Sequence, residues 1–247
     1  IPHGKIKRDD YSKCFQMPGV VDVVTYKDVK GINLVGDTVM DEPVFAEEEV
    51  RYVGQAIALV LAEDNETAWK AAKLAEIEYK ELPAVLSIEE AIENNSFYDF
   101  HHKIKKGQPE NALKHCKHAI EGQFEIGGQE HFYFETQNCV VEPFENNKLK
   151  VNSSTQAPTT NQFQIARCCG LKMSDIVVEN KRLGGSFGGK ELQPAATSNM
   201  ASVAALKVKR PIKLVFNRQD DFQFTGKRHP FLMKYKAGFD DDCKLEA

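Results

Sequence analysis

The sequence lacks any apolar run close to the roughly 20 residues that a membrane-spanning helix needs, and it lacks a charged-then-apolar leader at its start. Basic residues are not in excess, because the 247 residues carry a formal charge of −4 and Lys and Arg are scattered along the chain. Such a composition does not favour binding to nucleic acid or to an anionic surface. We therefore predict neither a membrane nor a nucleic-acid partner.

The cysteines lack the spacing of a metal site. None of the six forms a Cys-x-x-Cys pair, so neither a zinc site nor a local iron–sulfur site is expected. The adjacent Cys168 and Cys169 fall in a helical pattern and are predicted to be buried as small apolar side chains. The simplest inference is a reduced, cytoplasmic setting.

Residues 1–95 alternate strand and helix patterns and are predicted to form one compact α/β unit. Asp64 or Asn65 can cap its first helix, and Ser87 its second. The strands are predicted at residues 19–26, 50–62 and 77–85, with Gly54 inside the second. Residues 96–117 are polar without a clean period, which predicts a linker.

From residue 118 onward, strand patterns dominate and two helices are expected. Strands are predicted at residues 118–128, 176–180, 211–216 and 230–239, and as a pair within 138–154 joined by a turn at 145–147. The helices are predicted at residues 160–169 and 193–206, the second with Pro194 in its first turn.

The stretch KRLGGSFGGKE at residues 181–191 lies between a predicted strand and a predicted helix, where a phosphate-binding loop would lie. Gly184, Gly189 and Lys190 satisfy the start of the nucleoside-triphosphate fingerprint, but Glu191 follows where Ser or Thr should hold magnesium. A carboxylate there supplies no hydroxyl and repels phosphate. The dinucleotide fingerprint also fails, because the glycines have the wrong spacing.

A plain turn is the alternative explanation of the glycine stretch. Each glycine costs roughly 0.5–1 kcal/mol relative to alanine in regular structure, so a plain turn gains little from four of them. Phe187 in their midst is also unusual for an exposed turn. The composition favours a loop whose backbone comes close to a planar ligand.

A second stretch, GGQEHFYFETQ at residues 127–137, combines glycines, an amide, acids and aromatic residues. Gln129 is the better candidate for a ligand contact, since an amide both donates and accepts hydrogen bonds. His131 is expected to have a structural role. The alternative is a strand edge whose aromatic residues pack into the core and whose polar groups face solvent.

Both stretches, in this order, resemble the molybdenum hydroxylases, the family of xanthine dehydrogenase/oxidase and aldehyde oxidase. Further matching pieces are STQAP at residues 154–158, GKRHPFLMKYKAGF at 226–239 and DEPVFAEEEVRYVGQAIALVLAE at 41–63. The resemblance covers nearly the whole chain and implies an α+β fold. A small α/β hammerhead domain would occupy residues 1–95 and a linker residues 96–117. Residues 118–247 would be the first part of a large mixed α+β molybdopterin-binding domain.

The resemblance implies hydroxylation of a carbon next to a ring nitrogen, or of an aldehyde carbon, with oxygen from water. The implied cofactors are molybdopterin with its molybdenum and, elsewhere in the intact enzyme, iron–sulfur (2Fe–2S) clusters and FAD. The implied partners are a small-molecule substrate, the domains or subunits that carry the clusters and FAD, and a second copy in a homodimer. In this family the cofactor holds the metal, which agrees with the missing metal-ligand spacing.

By resemblance, Gln129 matches a glutamine whose amide lies near the molybdenum, and Phe187 and Gly188 match a loop whose backbone contacts the cofactor. Neither Gln129 nor Phe187 is expected to be a direct metal ligand. Glu191 matches a substrate-binding glutamate that hydrogen-bonds the purine in xanthine-oxidising members, whereas aldehyde oxidases tend to have an apolar residue there. Ser186 departs from the usual glycine or alanine, which should be tolerated unless that position needs a positive φ.

The chain starts at Ile1 rather than Met and is expected to be a piece of a longer protein. The resemblance places the catalytic glutamate beyond residue 247, so no catalytic residue is assigned within this chain. The leading hypothesis is a molybdenum hydroxylase that oxidises xanthine or hypoxanthine. Two alternatives stay open, namely an aldehyde oxidase acting on aldehydes and N-heterocycles, and a non-catalytic module that keeps the fold.

Overall fold

The structure, a computed structural model, describes residues 1–98 and 102–247. These residues form two compact units. The first unit consists of residues 1–84 and 131–226, and the second of residues 85–130 and 227–247.

In chain order, the strands of the described residues are β1 (Gly4–Asp10), β2 (Val20–Thr25), β3 (Leu34–Val35), β4 (Glu42–Pro43), β5 (Glu49–Val50), β6 (Ala58–Ala62), β7 (Glu76–Glu81), β8 (His118–Ile126), β9 (Asn138–Pro143), β10 (Leu149–Ser153), β11 (Ile176–Glu179), β12 (Ile212–Val215) and β13 (Phe231–Phe239). The helices are α1 (Ser12–Phe15), α2 (Asn65–Ala72), α3 (Ile88–Glu93), α4 (Pro109–His115), α5 (Pro158–Cys169), α6 (Gln193–Val208) and α7 (Arg218–Phe224). This mixture confirms the predicted α+β class.

The first unit contains a four-stranded sheet of order β11-β10-β9-β12. Strand β10 runs parallel to β11, whereas β9 is antiparallel to both β10 and β12. The predicted strand pair with a turn at residues 145–147 is confirmed as β9 and β10. Alternate side chains of these strands, such as Val141 and Val151, are fully buried, because helices cover one face of the sheet.

Helix α6 packs on α5 and on β9, and it begins directly after the glycine stretch. Pro194 lies in its first turn as predicted, where the missing N–H costs nothing. The helix buries small side chains such as Ala201 and Ala204, which allow close packing on the sheet. Helix α5 buries Cys168 and Cys169, also as predicted.

The remaining strands of the first unit form a sheet of order β5-β1-β7 and the pairs β2-β6 and β3-β4. The predicted single strand over residues 50–62 is wrong, because the structure has the short strands β5 and β6 with no strand over residues 51–57. Gly54, in this gap, has a φ of +96°, which is incompatible with an extended strand. A Cβ there would lie 2.7 Å from the carbonyl oxygen of Gln223, so the close approach requires glycine.

Two predicted helix caps are confirmed. The Asp64 carboxylate accepts a hydrogen bond of 2.9 Å from the N–H of Thr67 at the start of α2. The Ser87 hydroxyl accepts one of 3.1 Å from the N–H of Glu90 at the start of α3. Each cap satisfies an N–H group that has no partner within its helix.

The second unit contains an antiparallel ribbon of β8 and β13, in which Ile126 lies opposite Phe231 and His118 opposite Phe239. Helix α4 lies within residues 96–117, where the sequence predicts a linker, and residues 99–101 of that segment lie outside the described residues. Among the residues that are described, none of the helices combines the length and the apolar character needed to cross a bilayer.

Candidate functional site

The glycine stretch lies between β11 and α6, as predicted, and its residues 184–190 pack on residues 131–137 of the second stretch. Every second side chain of residues 131–137 faces this loop, and these four are His131, Tyr133, Glu135 and Gln137. Phe132 has a φ of +48°, so the segment is not a regular strand. The glycine stretch and residues 131–137 of the second stretch thus meet within the first unit.

The glycines at the two ends of the loop are explained by the chain itself. A Cβ on Gly184 would lie 2.5 Å from the Cβ of Glu135, and a Cβ on Gly189 would lie 2.6 Å from Cε1 of Tyr133. Real Cβ atoms do not approach other carbon atoms so closely. A nearby ligand is therefore not needed to explain these two glycines.

The centre of the loop is open. Gly185 and Gly188 both have a φ of +92°, and Phe187 between them has a φ of +56°. A bulky residue with positive φ is strained, and such strain is concentrated at functional sites. The Phe187 ring is 75% exposed, and a Cβ on Gly188 would meet only the His131 ring, at 3.9 Å. Ser186 does not have a positive φ, so the serine is tolerated, as expected.

The backbone of the open centre offers hydrogen-bond donors. Within the described part of the chain, the N–H groups of Phe187 and Gly188 make no hydrogen bond. The N–H groups of Gly184 and Gly189, by contrast, donate to Glu135 and to the Ser186 carbonyl. The loop therefore has fixed ends and two free N–H donors beside an exposed aromatic ring.

Two aromatic residues of the second stretch face solvent. Phe132 is 67% and Phe134 94% exposed, whereas Tyr133 is buried, so the alternative in which the aromatic residues pack into the core holds only for Tyr133. The Cζ atom of Arg218 lies 5.4 Å from the centre of the Phe132 ring. Its Nη2 atom donates a hydrogen bond of 2.6 Å to the carbonyl oxygen of Phe134. Arg218 thus contacts this segment at both of its exposed aromatic residues, Phe132 and Phe134.

An ion pair between a buried lysine and a partly buried glutamate joins the loop to the second stretch. The Nζ atom of Lys190, whose side chain is fully buried, lies 2.8 Å from Oε2 of Glu135 and 2.6 Å from Oγ of Ser154. Burial alone would raise the pKa of the Glu135 carboxyl. The hydrogen bonds from Lys190, from the Gly184 N–H and from Ser154 outweigh it and lower the pKa to about 2.

A second buried network holds the other side of the loop. The Tyr133 hydroxyl donates a hydrogen bond of 2.7 Å to Asp221, which also accepts one of 2.7 Å from the backbone N–H of Gln137. The Gln137 amide in turn donates 2.9 Å bonds to the Tyr133 hydroxyl and to the carbonyl oxygen of Gly189. Burial, and then the bond to Asp221, raises the pKa of Tyr133. The residues on which the loop packs are therefore polar and held rigidly by these hydrogen bonds.

The four site residues predicted by resemblance lie in different settings. Phe187, Gly188 and Glu191 belong to the same stretch of the first unit, and Glu191 is exposed with no hydrogen bond or ion pair in the described part of the chain. Gln129 belongs to the second unit, where its backbone pairs with Arg228 through bonds of 3.1 and 2.9 Å and its side chain is exposed.

Only some of the residues that hold the loop through hydrogen bonds could have been predicted from the sequence. The alternate positions of Tyr133, Glu135 and Gln137 could have indicated a common face. Asp221 carries no local signal, since it lies 84 residues from Gln137 along the chain. Among the described residues, no group of His, Cys, Asp and Glu side chains could hold a metal ion.

Comparison with known proteins shows which families the chain resembles. The family model of the molybdopterin cofactor-binding domain matches residues 88–247. The family model of the aldehyde oxidase and xanthine dehydrogenase a/b hammerhead domain matches residues 1–83.

Relatives match along the whole chain. A xanthine dehydrogenase of Blastobotrys adeninivorans is 44% identical over 250 residues, which cover 100% of this chain and 18% of the relative. The mouse xanthine dehydrogenase/oxidase is 42% identical over 238 residues, which cover 96% of this chain and 18% of the relative. The chain thus spans less than a fifth of the length of these relatives.

A solved structure shares the fold. The aldehyde oxidoreductase of Desulfovibrio gigas superposes with a TM-score of 0.89 at 28% identity, over 99% of this chain and 29% of that one. Family models, relatives and structure agree along nearly the whole sequence. The chain belongs to the aldehyde oxidase and xanthine dehydrogenase family and carries its molybdopterin cofactor-binding domain.

Proposed function

We propose that this chain is part of a molybdenum hydroxylase that oxidises purines such as hypoxanthine and xanthine. The observation that carries the proposal is the Glu191 carboxylate, which is exposed, has no partner in the described part of the chain, and follows the open loop. A charged acceptor in that position suits the N–H groups of a purine better than it suits a simple aldehyde. The identity of 44% to a xanthine dehydrogenase supports the same substrate class.

The residues of the loop fit a molybdopterin cofactor. The N–H groups of Phe187 and Gly188 make no hydrogen bond in the described part of the chain, and the space around the Cβ position of residue 188 is open except for the His131 ring at 3.9 Å. Backbone donors of this kind stabilise an anionic or strongly polar ligand atom. By resemblance, Gln129 is a further candidate for a cofactor contact, since its exposed amide can both donate and accept hydrogen bonds. When bound, the cofactor supplies the oxidation of a substrate carbon with oxygen derived from water.

The rest of the assembly is proposed on the same basis. Iron–sulfur clusters and FAD would accept the electrons in other parts of the full-length protein, and the intact enzyme would be a homodimer. Residues 1–95 would be the hammerhead domain, residues 96–117 the connection, and residues 118–247 the first part of the molybdopterin-binding domain. The catalytic base would lie outside this chain.

The test of the substrate class is the substitution Glu191→Val in the full-length protein, after elemental analysis has shown about one molybdenum per chain. Loss of one charged hydrogen bond is worth about 1.5–3 kcal/mol, so kcat/KM for xanthine should fall roughly 10- to 150-fold. The kcat/KM for benzaldehyde should change little. Glu191→Gln is the matched control, and it should retain part of the purine activity because the amide still accepts a hydrogen bond.

Equal losses on xanthine and benzaldehyde would contradict the role of Glu191. An aldehyde oxidase is the second candidate, favoured by the likeness to the Desulfovibrio gigas aldehyde oxidoreductase. In that case the wild-type protein should prefer benzaldehyde over xanthine. A full-length protein that folds without molybdenum would contradict both functions and favour a non-catalytic module.

A further inference from the structure

Lys190 and Glu135 form an ion pair, and no step of the proposed reaction uses it directly. We propose that this pair is a positioning device, which sets the backbone of Phe187 and Gly188 relative to the bound cofactor. The proposal rests on the proposed molybdopterin site. It assigns to two further residues of this chain a role in the reaction that is separate from holding the fold together.

The pair ties both ends of the loop to one atom. The Oε2 atom of Glu135 accepts a hydrogen bond of 2.9 Å from the N–H of Gly184, at the start of the loop. The same oxygen accepts one of 2.8 Å from Nζ of Lys190, at the end of the loop. A single carboxylate oxygen therefore sets the separation of the two ends.

Further bonds fix the pair itself. Ser154 donates a hydrogen bond of 2.7 Å to Glu135 and accepts one of 2.6 Å from Lys190. The backbone carbonyl of Lys190 accepts one of 2.7 Å from the N–H of Gln156. The Nζ atom also lies 4.8 Å from the centre of the Tyr133 ring. With these partners, the lysine has little freedom to move.

Between its ends the loop is held only lightly. Its backbone forms one turn, in which the Gly189 N–H donates a hydrogen bond of 2.8 Å to the Ser186 carbonyl. The N–H groups of Phe187 and Gly188 are free in the described part of the chain. Their direction is consequently set by where the two ends are fixed, and the ion pair is the contact that joins the two ends to each other.

Stability alone is a weak reason for an ion pair whose lysine is fully buried and whose glutamate is partly buried. Replacing a buried ion pair with apolar side chains of similar volume is often neutral or stabilising, whereas removing one partner is strongly destabilising. A neutral double substitution should therefore keep the fold and lose the directional bonds. This separates a positioning role from a stabilising one.

The experiment uses the full-length protein with the double substitution Glu135→Leu and Lys190→Met. We expect a Tm close to that of the wild type and a molybdenum content within twofold of it. We expect kcat to fall at least tenfold and the electron paramagnetic resonance signal of the partly reduced molybdenum to change. Amide hydrogen exchange in residues 184–190 should accelerate at least tenfold.

The matched control removes a different ion pair of the first unit, between Glu63 and Arg210, whose two N–O distances are both 2.9 Å. The double substitution Glu63→Leu and Arg210→Met should leave kcat, the resonance signal and the exchange of residues 184–190 unchanged. If Glu135→Leu/Lys190→Met does not fold, Ser154→Ala is the milder variant. It removes a bond from both partners without changing charge, and it should lower kcat three- to tenfold.

Unchanged kcat, resonance signal and loop exchange in the folded double variant would overturn the proposal, as would unchanged values in Ser154→Ala. Wild-type protein without molybdenum would overturn the proposed function instead. In that case the hydrogen exchange of residues 184–190 still decides whether the pair fixes the loop. The two failures are therefore distinguishable.

Discussion

At the scale of single residues, the Glu135 carboxylate has the clearest electrostatic consequence. Hydrogen bonds from Lys190, Gly184 and Ser154 outweigh its burial and lower its pKa from an ordinary 4.5 to about 2. A carboxyl whose pKa is lower in the folded state binds protons more weakly there than in the unfolded state. Its contribution to stability is therefore complete above pH 4.5 and is lost as the pH falls toward 2.

This predicts a pH-dependent effect of Glu135→Gln. Near neutral pH the substitution leaves the buried Lys190 without a counter-charge and should cost about 3 kcal/mol. The difference in Tm between wild type and variant should shrink as the pH is lowered from 5 toward 3, measured by thermal unfolding. Glu145→Gln is the control, because Glu145 is exposed and makes no ion pair in the described part of the chain. A difference that stays constant over this range would contradict the assigned partners.

At the scale of elements, the glycine loop packs closely on residues 131–137 because the residues at the ends of the loop, Gly184 and Gly189, have no side chains. A Cβ on Gly189 would lie 2.6 Å from Tyr133 Cε1 and 2.7 Å from His131 Cγ. Gly189→Ala should therefore destabilise the protein by about 2–3 kcal/mol, because the buried Tyr133 ring is held by its own hydrogen bonds. Thermal or denaturant unfolding measures this loss.

Gly188→Ala is the comparison for that substitution. A Cβ there meets only the His131 ring at 3.9 Å, so the cost is limited to the φ of +92°, about 1–2 kcal/mol. Gly107, with a φ of +65° and no atom near its Cβ position, provides a control away from the loop. If Gly189→Ala cost no more than Gly107→Ala, the close packing of the loop on Tyr133 would be incorrect.

Elements with a local signal could be predicted from the sequence. The caps at Asp64 and Ser87 and the position of Pro194 in α6 depend on neighbouring residues, and all three are confirmed. The prediction of a single strand over residues 50–62 is wrong because the apolar residues on both sides of Gly54 give no sign of the turn there. The backbone at that turn lies against Gln223, which is distant in the sequence.

At the scale of the whole molecule, the family and the α+β class followed from motifs along nearly the whole chain, but the pairing of distant residues did not. Glu135 and Lys190 are 55 residues apart, and neither position has a pattern that predicts the other. The first unit also combines residues 1–84 with residues 131–226. Periodicity describes one segment at a time, so it cannot indicate which segments share a core.

The shared core of the first unit has a specific contact that can be tested. Gly31, in the region matched by the hammerhead family model, donates a backbone hydrogen bond of 2.9 Å to the carbonyl oxygen of Cys168 in α5. A Cβ on Gly31 would overlap the carbonyl oxygen of Arg167 and lie 2.6 Å from the nitrogen of Gly170. Backbone atoms cannot move aside as side chains can, so a larger residue must separate the two segments.

Gly31→Ala should therefore destabilise the protein by about 3 kcal/mol. Amide exchange should accelerate both in residues 31–35 and in the last turn of α5, because both segments lose the same contact. Gly127→Ala is the control, since nothing lies within 4 Å of its Cβ position and its φ is not positive. Faster exchange near residue 31 alone would mean that the two regions fold independently, and the single compact unit would then be wrong.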